Sequence, residues 1–103
     1  MKEQEYKLKR DRFSRVRGGM SEFLDIYCAG CNERLLLYQK DGRGRLLRMY
    51  LDRIFEPVSV PWGQLKCPKC NALIATPMVY VPEQRRALRT IKGSFYRTKH
   101  AKN

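Results

Sequence analysis

Two pairs of cysteines with the same internal spacing constrain this chain more than any other feature. Cys28-Ala29-Gly30-Cys31 and Cys67-Pro68-Lys69-Cys70 each leave two residues between thiols, the separation at which one tight turn aims both sulfurs at a single point. Two such turns complete a tetrahedron around a metal, at about 2.3 Å per zinc–sulfur bond. The first twenty residues are charged throughout, with no apolar stretch to follow the positive start, so the chain is expected to stay in the cytoplasm. Thiols there are kept reduced, and two C-x-x-C pairs read as metal ligands rather than as disulfides. Four thiolates close the shell, whereas a catalytic zinc keeps an open water position. One structural zinc ion, held by Cys28, Cys31, Cys67 and Cys70, is the expectation. A dithiol redox role for the second pair would want a thioredoxin-like βαβ context, which the sequence lacks.

The flanks repeat as well: Cys28-x-x-Cys31-Asn32-x-x-Leu35 matches Cys67-x-x-Cys70-Asn71-x-x-Ile74. The residue after such a turn often needs positive φ, and Asn is among the few residues besides Gly that tolerate it. Extended-looking apolar residues precede each pair: Phe23, Leu24, Ile26 and Tyr27 before the first, Val58, Val60 and Leu65 before the second.

Over residues 22 to 82 this constellation resembles the zinc ribbon and rubredoxin-like group of small proteins. The resemblance implies knuckles at the ends of β-hairpins sharing one metal, with the four cysteines as ligands. The chain departs from the group's pattern in carrying Asn where Gly is usual, and in the 35 residues between Cys31 and Cys67. The segment Val60-Pro61-Trp62-Gly63-Gln64-Leu65-Lys66 before Cys67 also resembles rubredoxin, which makes an iron electron carrier an alternative. Rubredoxins are typically acidic, and the basic ends of this chain speak against it. A core of about 60 residues is marginal alone, and one zinc contributes on the order of 10 kcal/mol of apparent folding free energy. Arg34, Lys66 and Lys69 near the knuckles either partly offset the −2 charge of a zinc tetrathiolate or are solvated surface cations.

At 103 residues there is room for one small domain. Crossing a bilayer takes about 20 consecutive apolar residues, and the best run here is Leu35-Leu36-Leu37-Tyr38. Twenty-two Lys and Arg against ten Asp and Glu leave +12, an excess that points to a polyanionic partner. Residues 1–19 carry +4, residues 20–82 carry +2 and residues 83–103 carry +6, so two basic ends flank a nearly balanced middle. This divides the chain into a basic flexible arm (1–19), a zinc-ribbon-like domain (20–82) and a basic C-terminal helix and tail (83–103).

Within the arm a short helix on binding fits residues 3 to 13, with Gly18-Gly19 as a joint. Beyond the first knuckle, Leu35 to Tyr38 reads as a strand and Asp41-Gly42-Arg43-Gly44 as a hairpin turn. Residues 45–54 fit either a helical face or a strand, and the glycine turn favours a strand returning along residues 35–40. Pro57, Pro61 and Gly63 make 56–64 a loop or edge segment, while Leu73 to Thr76 and Met78 to Val81 read as strands interrupted at Pro77. Pro82 and Gly93 bracket a helix over residues 83–91, and Ser94 onward is a basic tail. The expected fold is a small metal-stabilised β domain of antiparallel hairpins with a C-terminal helix.

The cations interleave with aromatics in both extensions, a combination suited to phosphates and unpaired bases. The candidate nucleic-acid contacts are Lys7, Lys9, Arg10, Arg12, Arg15 and Arg17 in the arm, Arg43, Arg45 and Arg48 at the glycine turn, and Arg85, Arg86, Arg89, Lys92, Arg97, Lys99 and Lys102 in the C-terminal segment. Phe95 and Tyr96 either stack on bases or pack on the domain. His100 reads as a solvated tail residue, and Trp62 as a core or lid residue over the second knuckle. No grouping of acids, Ser and His suggests catalysis. Compact, often zinc-held bodies with basic tails resemble many small ribosomal proteins, which implies ribosomal RNA or the ribosome as partner. A duplex-DNA regulator and a protein-interaction module are the alternatives.

Overall fold

Leu24, Ile26 and Cys28 alternate along β1 (Ser21–Cys28), which puts all three on one buried face. In the computed structural model, which describes residues 7–9, 11–13, 21–57 and 60–100, β1 pairs antiparallel with β2 (Arg34–Asp41), joined through the first cysteine pair. The chain continues through β3 (Arg48–Tyr50), a 3-10 turn at Leu51–Arg53, β4 (Ile54–Glu56), β5 (Leu65–Lys66), β6 (Leu73–Tyr80), a second 3-10 turn at Val81–Glu83, β7 (Arg85–Thr90) and β8 (Phe95–Lys99). Two four-stranded sheets result, ordered β4-β2-β1-β8 and β3-β7-β6-β5. Leu24, Ile26, Leu36, Tyr38 and Ile54 from the first share one core with Met49, Ala75 and Leu88 from the second. Among the described residues no helix is long and apolar enough to cross a membrane.

The expected C-terminal helix is a strand. Pro82 does begin a helical turn, but it ends at Gln84, whose left-handed backbone (φ 50°) reverses the chain. Residues 85–90 then run back along β6 in continuous register from Tyr80↔Arg85 to Ala75↔Thr90. Burial of Ala87 and Leu88 between β6 and β3 outweighs the helical propensity of Glu83 to Ile91. Gly93 (φ 82°) lies in the turn to β8, and the residues read as tail from 95 to 99 form that strand, paired with β1 from Leu24↔Lys99 to Cys28↔Phe95.

Residues 45–54 divide between the sheets. Arg48–Tyr50 pairs with β7, and the strand that returns along β2 is β4, through Leu37↔Glu56 and Tyr38↔Ile54. The glycine turn is therefore a crossing between sheets rather than a hairpin, with Gly42 at φ 84° and Gly44 at φ 104°. Pro77 does not interrupt β6. Ile91 N–H donates to Ile74 O at 2.9 Å, and counting along the register places Pro77↔Leu88 at a non-hydrogen-bonded pair. Its missing N–H faces the side that β5 covers only as far as Ala75.

Part of the basic arm is tied down. Gln39, fully buried, accepts the Lys9 backbone N–H at 2.6 Å and donates to the Lys9 carbonyl at 2.8 Å. Arg53 is 0% exposed; it pairs with Asp11 at 2.7 Å and with Asp41 at 2.9 Å. Burial alone would push the Asp41 carboxyl up, but hydrogen bonds from Ser21, Gln39 and Arg53 hold it below its ordinary value. The stabilisation from this group is in place above the ordinary aspartate pKa, about 3.9, and is lost as pH falls through the lower folded value.

Candidate functional site

The two knuckles are built by the same backbone device, as their shared sequence implies. In the first, Cys28 N–H donates to Glu33 O and Asn32 N–H to Cys28 O, both at 2.8 Å; in the second, Cys67 N–H donates to Ala72 O and Asn71 N–H to Cys67 O, both at 2.8 Å. Closing each turn this way forces the residue after the second cysteine into left-handed space, and Asn32 and Asn71 sit at φ 66° and 65°. Positive φ at both asparagines matches the sequence expectation. Non-glycine residues in this region cost about 1–3 kcal/mol, most for β-branched ones. In urea unfolding of the metal-loaded protein, Asn71→Gly is expected to leave stability unchanged or raised, and Asn71→Val to lower the unfolding free energy by that amount; equal stabilities for the two variants would show that the backbone angle is not what selects Asn.

β1 and β2 carry the first knuckle, β5 and β6 the second, so the four sulfurs meet where the two sheets converge. All four lie within 4.8 Å of one another, with Cys28 Sγ 3.6 Å from Cys70 Sγ and Cys31 Sγ 3.5 Å from Cys67 Sγ. Bonds of 2.3 Å in a tetrahedron put ligand sulfurs about 3.8 Å apart, so the cluster is positioned to hold a metal ion. Cys28 and Cys67 are buried with Ile74, while Cys70 is exposed. Backbone N–H groups of Cys70 and Lys69 hold the Cys67 thiol down at about 7. The Glu33 N–H favours a thiolate at Cys31, but desolvation and the other three sulfurs push it up to about 12. Four thiolates this close cannot all ionise without a cation between them. The ordinary soft-ligand chemistry of such a set suits zinc and iron.

The flanking cations do something other than offset the metal charge at one of the three positions expected. Arg34 donates to Asp25 at 2.8 and 3.0 Å and to Glu56 at 2.6 Å, tying β1, β2 and β4 together on the outer face of the first sheet. His100 is no metal ligand, and it is held rather than loose: its Nδ1 lies 3.0 Å from Asp25. Trp62 lies on the second sheet, away from the knuckle. Its indole N–H is shared between Met78 O and Ala87 O at 3.2 and 3.1 Å, and the Arg86 guanidinium stands 5.0 Å over its ring.

The candidate nucleic-acid contacts separate into different environments. Arg85 is a core residue: it is 6% exposed, pairs with Asp52 and Glu83 at 2.7 and 2.9 Å, and is sandwiched between Tyr50 and Phe13 at 3.7 and 4.1 Å. Lys9 is partly occupied, its ammonium donating to Asp52 O at 2.6 Å. Lys7 and Arg12 belong to the described part of the arm, whereas Arg10, Arg15, Arg17 and Lys102 lie outside the described residues. Arg86 and Arg89 are exposed on β7, Lys92 lies in the turn after it, and Arg97 and Lys99 are exposed on β8 at the edge of the first sheet. Phe95 packs into the domain, and Tyr96 stacks on Tyr27 with centroids 5.2 Å apart and donates to Asn32.

Arg43, Arg45 and Arg48 do come together. The sheet crossing after β2 folds into a recess of about 300 Å³ lined by Tyr38, Lys40, Asp41, Arg43, Arg45, Leu46, Leu47, Arg48 and Tyr50. Arg48 stands opposite Arg89 in the β3–β7 ladder, a like-charge cross-strand pair that costs stability, eased by Arg48 lying 4.1 Å over the Tyr80 ring and donating to the Tyr50 hydroxyl. Sequence reasoning took the cations of this segment but missed its walls, Tyr38, Leu46 and Tyr50. The available signal was contiguity: every lining residue falls between 38 and 50. Comparison with known proteins matches the chain to no family model, no curated protein and no solved structure.

Proposed function

We propose that this chain is a zinc-held β domain that acts by binding RNA, without catalysis, as a ribosome-associated factor of the cytoplasm. The observation that carries the reading is the gathering of Lys40, Arg43, Arg45 and Arg48 around one recess with Arg89 directly opposite Arg48. Cations held side by side against their mutual repulsion are stabilised by a partner that supplies fixed negative charge. One zinc in the cysteine cluster holds the scaffold, and the bound metal's task is structural because four thiolates leave no open position.

Lysate sedimented through a density gradient at low and high salt tests the reading. Co-migration with one ribosomal subunit, weakening as salt rises because each neutralised phosphate releases counterion, is the expected result. Migration in the light fractions at both salts would overturn ribosome association, and binding of the purified protein to a duplex DNA in preference to single-stranded RNA would overturn the choice of nucleic acid.

A further inference from the structure

We propose that the recess between β2 and β3 is a site for a single nucleotide unit, its phosphate held by the Arg43 and Arg45 guanidinium groups and its sugar and base lying against Leu47. The inference deepens the RNA reading and rests on it for the identity of the ligand. Three observations carry it beyond a general basic surface.

The first is concavity. A flat or convex patch tracks a nucleic-acid backbone, whereas a half-open recess of about 300 Å³ sits at the lower end of the range for small-molecule pockets, which start at about 300 Å³, and has room for one unit. The second is charge. Four cations line it against one carboxylate, Asp41, and that carboxylate is already taken by Arg53 at 2.9 Å, Ser21 at 2.6 Å and Gln39 at 2.9 Å. Arg48 is spent on the Tyr80 ring and the Tyr50 hydroxyl, and Lys40 donates to the Gly42 carbonyl at 2.9 Å. Arg43 and Arg45 are both exposed, and among the described residues neither has a carboxylate partner. Planar forks of this kind pair with phosphate oxygens two at a time. The third is the mixed wall. Leu47 is 56% exposed at the rim, an apolar side chain that a purely electrostatic anion site does not need.

The test uses the metal-loaded full chain, titrated with uridine 5′-monophosphate, uridine and inorganic phosphate while the amide signals of Gly42 and Gly44 are followed by NMR. Saturable shifts at both glycines with the nucleotide, at least tenfold weaker with uridine and with phosphate, are expected. The double variant Arg43→Gln/Arg45→Gln should weaken the nucleotide at least tenfold, and Arg97→Gln/Lys99→Gln on β8 should change it no more than twofold. Absence of saturable shifts, equal affinity for inorganic phosphate, or equal loss in the two double variants would each overturn the assignment. A single-stranded RNA oligonucleotide, titrated in parallel, separates the two ideas. If the oligonucleotide binds and is insensitive to Arg43→Gln/Arg45→Gln, the recess assignment falls and the RNA reading stands. If the nucleotide saturates the recess but the oligonucleotide does not bind, the RNA reading falls and the recess is a site for free nucleotide.

Discussion

Removing the metal with a chelator, or replacing Cys67 with serine, is expected to unfold the whole domain rather than loosen one end of it. The cysteine cluster is where the β1–β2 hairpin of the first sheet meets the β5–β6 hairpin of the second. β5 is only two residues long, so apart from the cluster the second knuckle is anchored on one side, through β6. Structural zinc in such sites contributes on the order of 10 kcal/mol, against a total stability of about 5–15 kcal/mol for typical domains. Losing it removes most or all of that stability. The measurement is circular dichroism and metal content followed together through a chelator titration, with one zinc per chain the expected starting content. The two signals should fall in parallel for the native chain, and Cys67→Ser should purify without metal and without a cooperative thermal transition. A metal-free protein that keeps a cooperative transition near the native temperature would show that the cluster does not hold the fold.

Arg53→Ala is expected to be the most damaging substitution outside the cluster, at about 3–5 kcal/mol, the usual effect of breaking one side of a buried pair. Arg53 is fully buried and Asp41 is 8% exposed, so the alanine variant strands a carboxylate that Ser21 and Gln39 can only partly satisfy. Asp11, by contrast, has a side chain 41% exposed and stays in reach of water when Arg53 is lost. Asp11→Asn should therefore cost about 1 kcal/mol or less. Urea unfolding of the metal-loaded protein measures both. Near-equal losses would mean that the arm contact, rather than the Asp41 pair, is the important one, and Arg53→Ala combined with Asp41→Asn should recover part of the loss if the stranded charge is the cause.

The metal cluster was legible because its determinants are local. Two residues between thiols and an Asn after each pair specify a turn whatever the rest of the chain does, and the hydrogen bonds of Cys28, Asn32, Cys67 and Asn71 repeat as the letters do. β1, β2 and the antiparallel β class were legible for a related reason, the alternation of Leu24, Ile26 and Cys28. What the letters hide is partnership across the chain. Arg85-Arg86-Ala87-Leu88-Arg89 has good helical propensity, and only the adjacent edge of β6 makes it a strand. Arg53 and Arg85 look like surface cations until Asp41, Asp11, Asp52 and Glu83 are seen to surround them. Net charge counts residues, and it cannot separate a guanidinium satisfied inside the fold from one such as Arg43 that faces solvent.

The pairing of β8 with β1 bears on the order in which the molecule comes into being. Synthesis delivers β1 early, and β2 can zip against it as soon as residue 41 emerges, but the opposite edge of β1 waits for Phe95 to Lys99. Until then that edge offers unpaired backbone groups to any neighbouring chain. Nascent chains that close their longest-range pairing last stay vulnerable to misassembly for most of their elongation. A chaperone or a bound metal acting on the emerging polypeptide would matter most in that interval, and a stop at residue 94 would be felt at Leu24, seventy positions upstream.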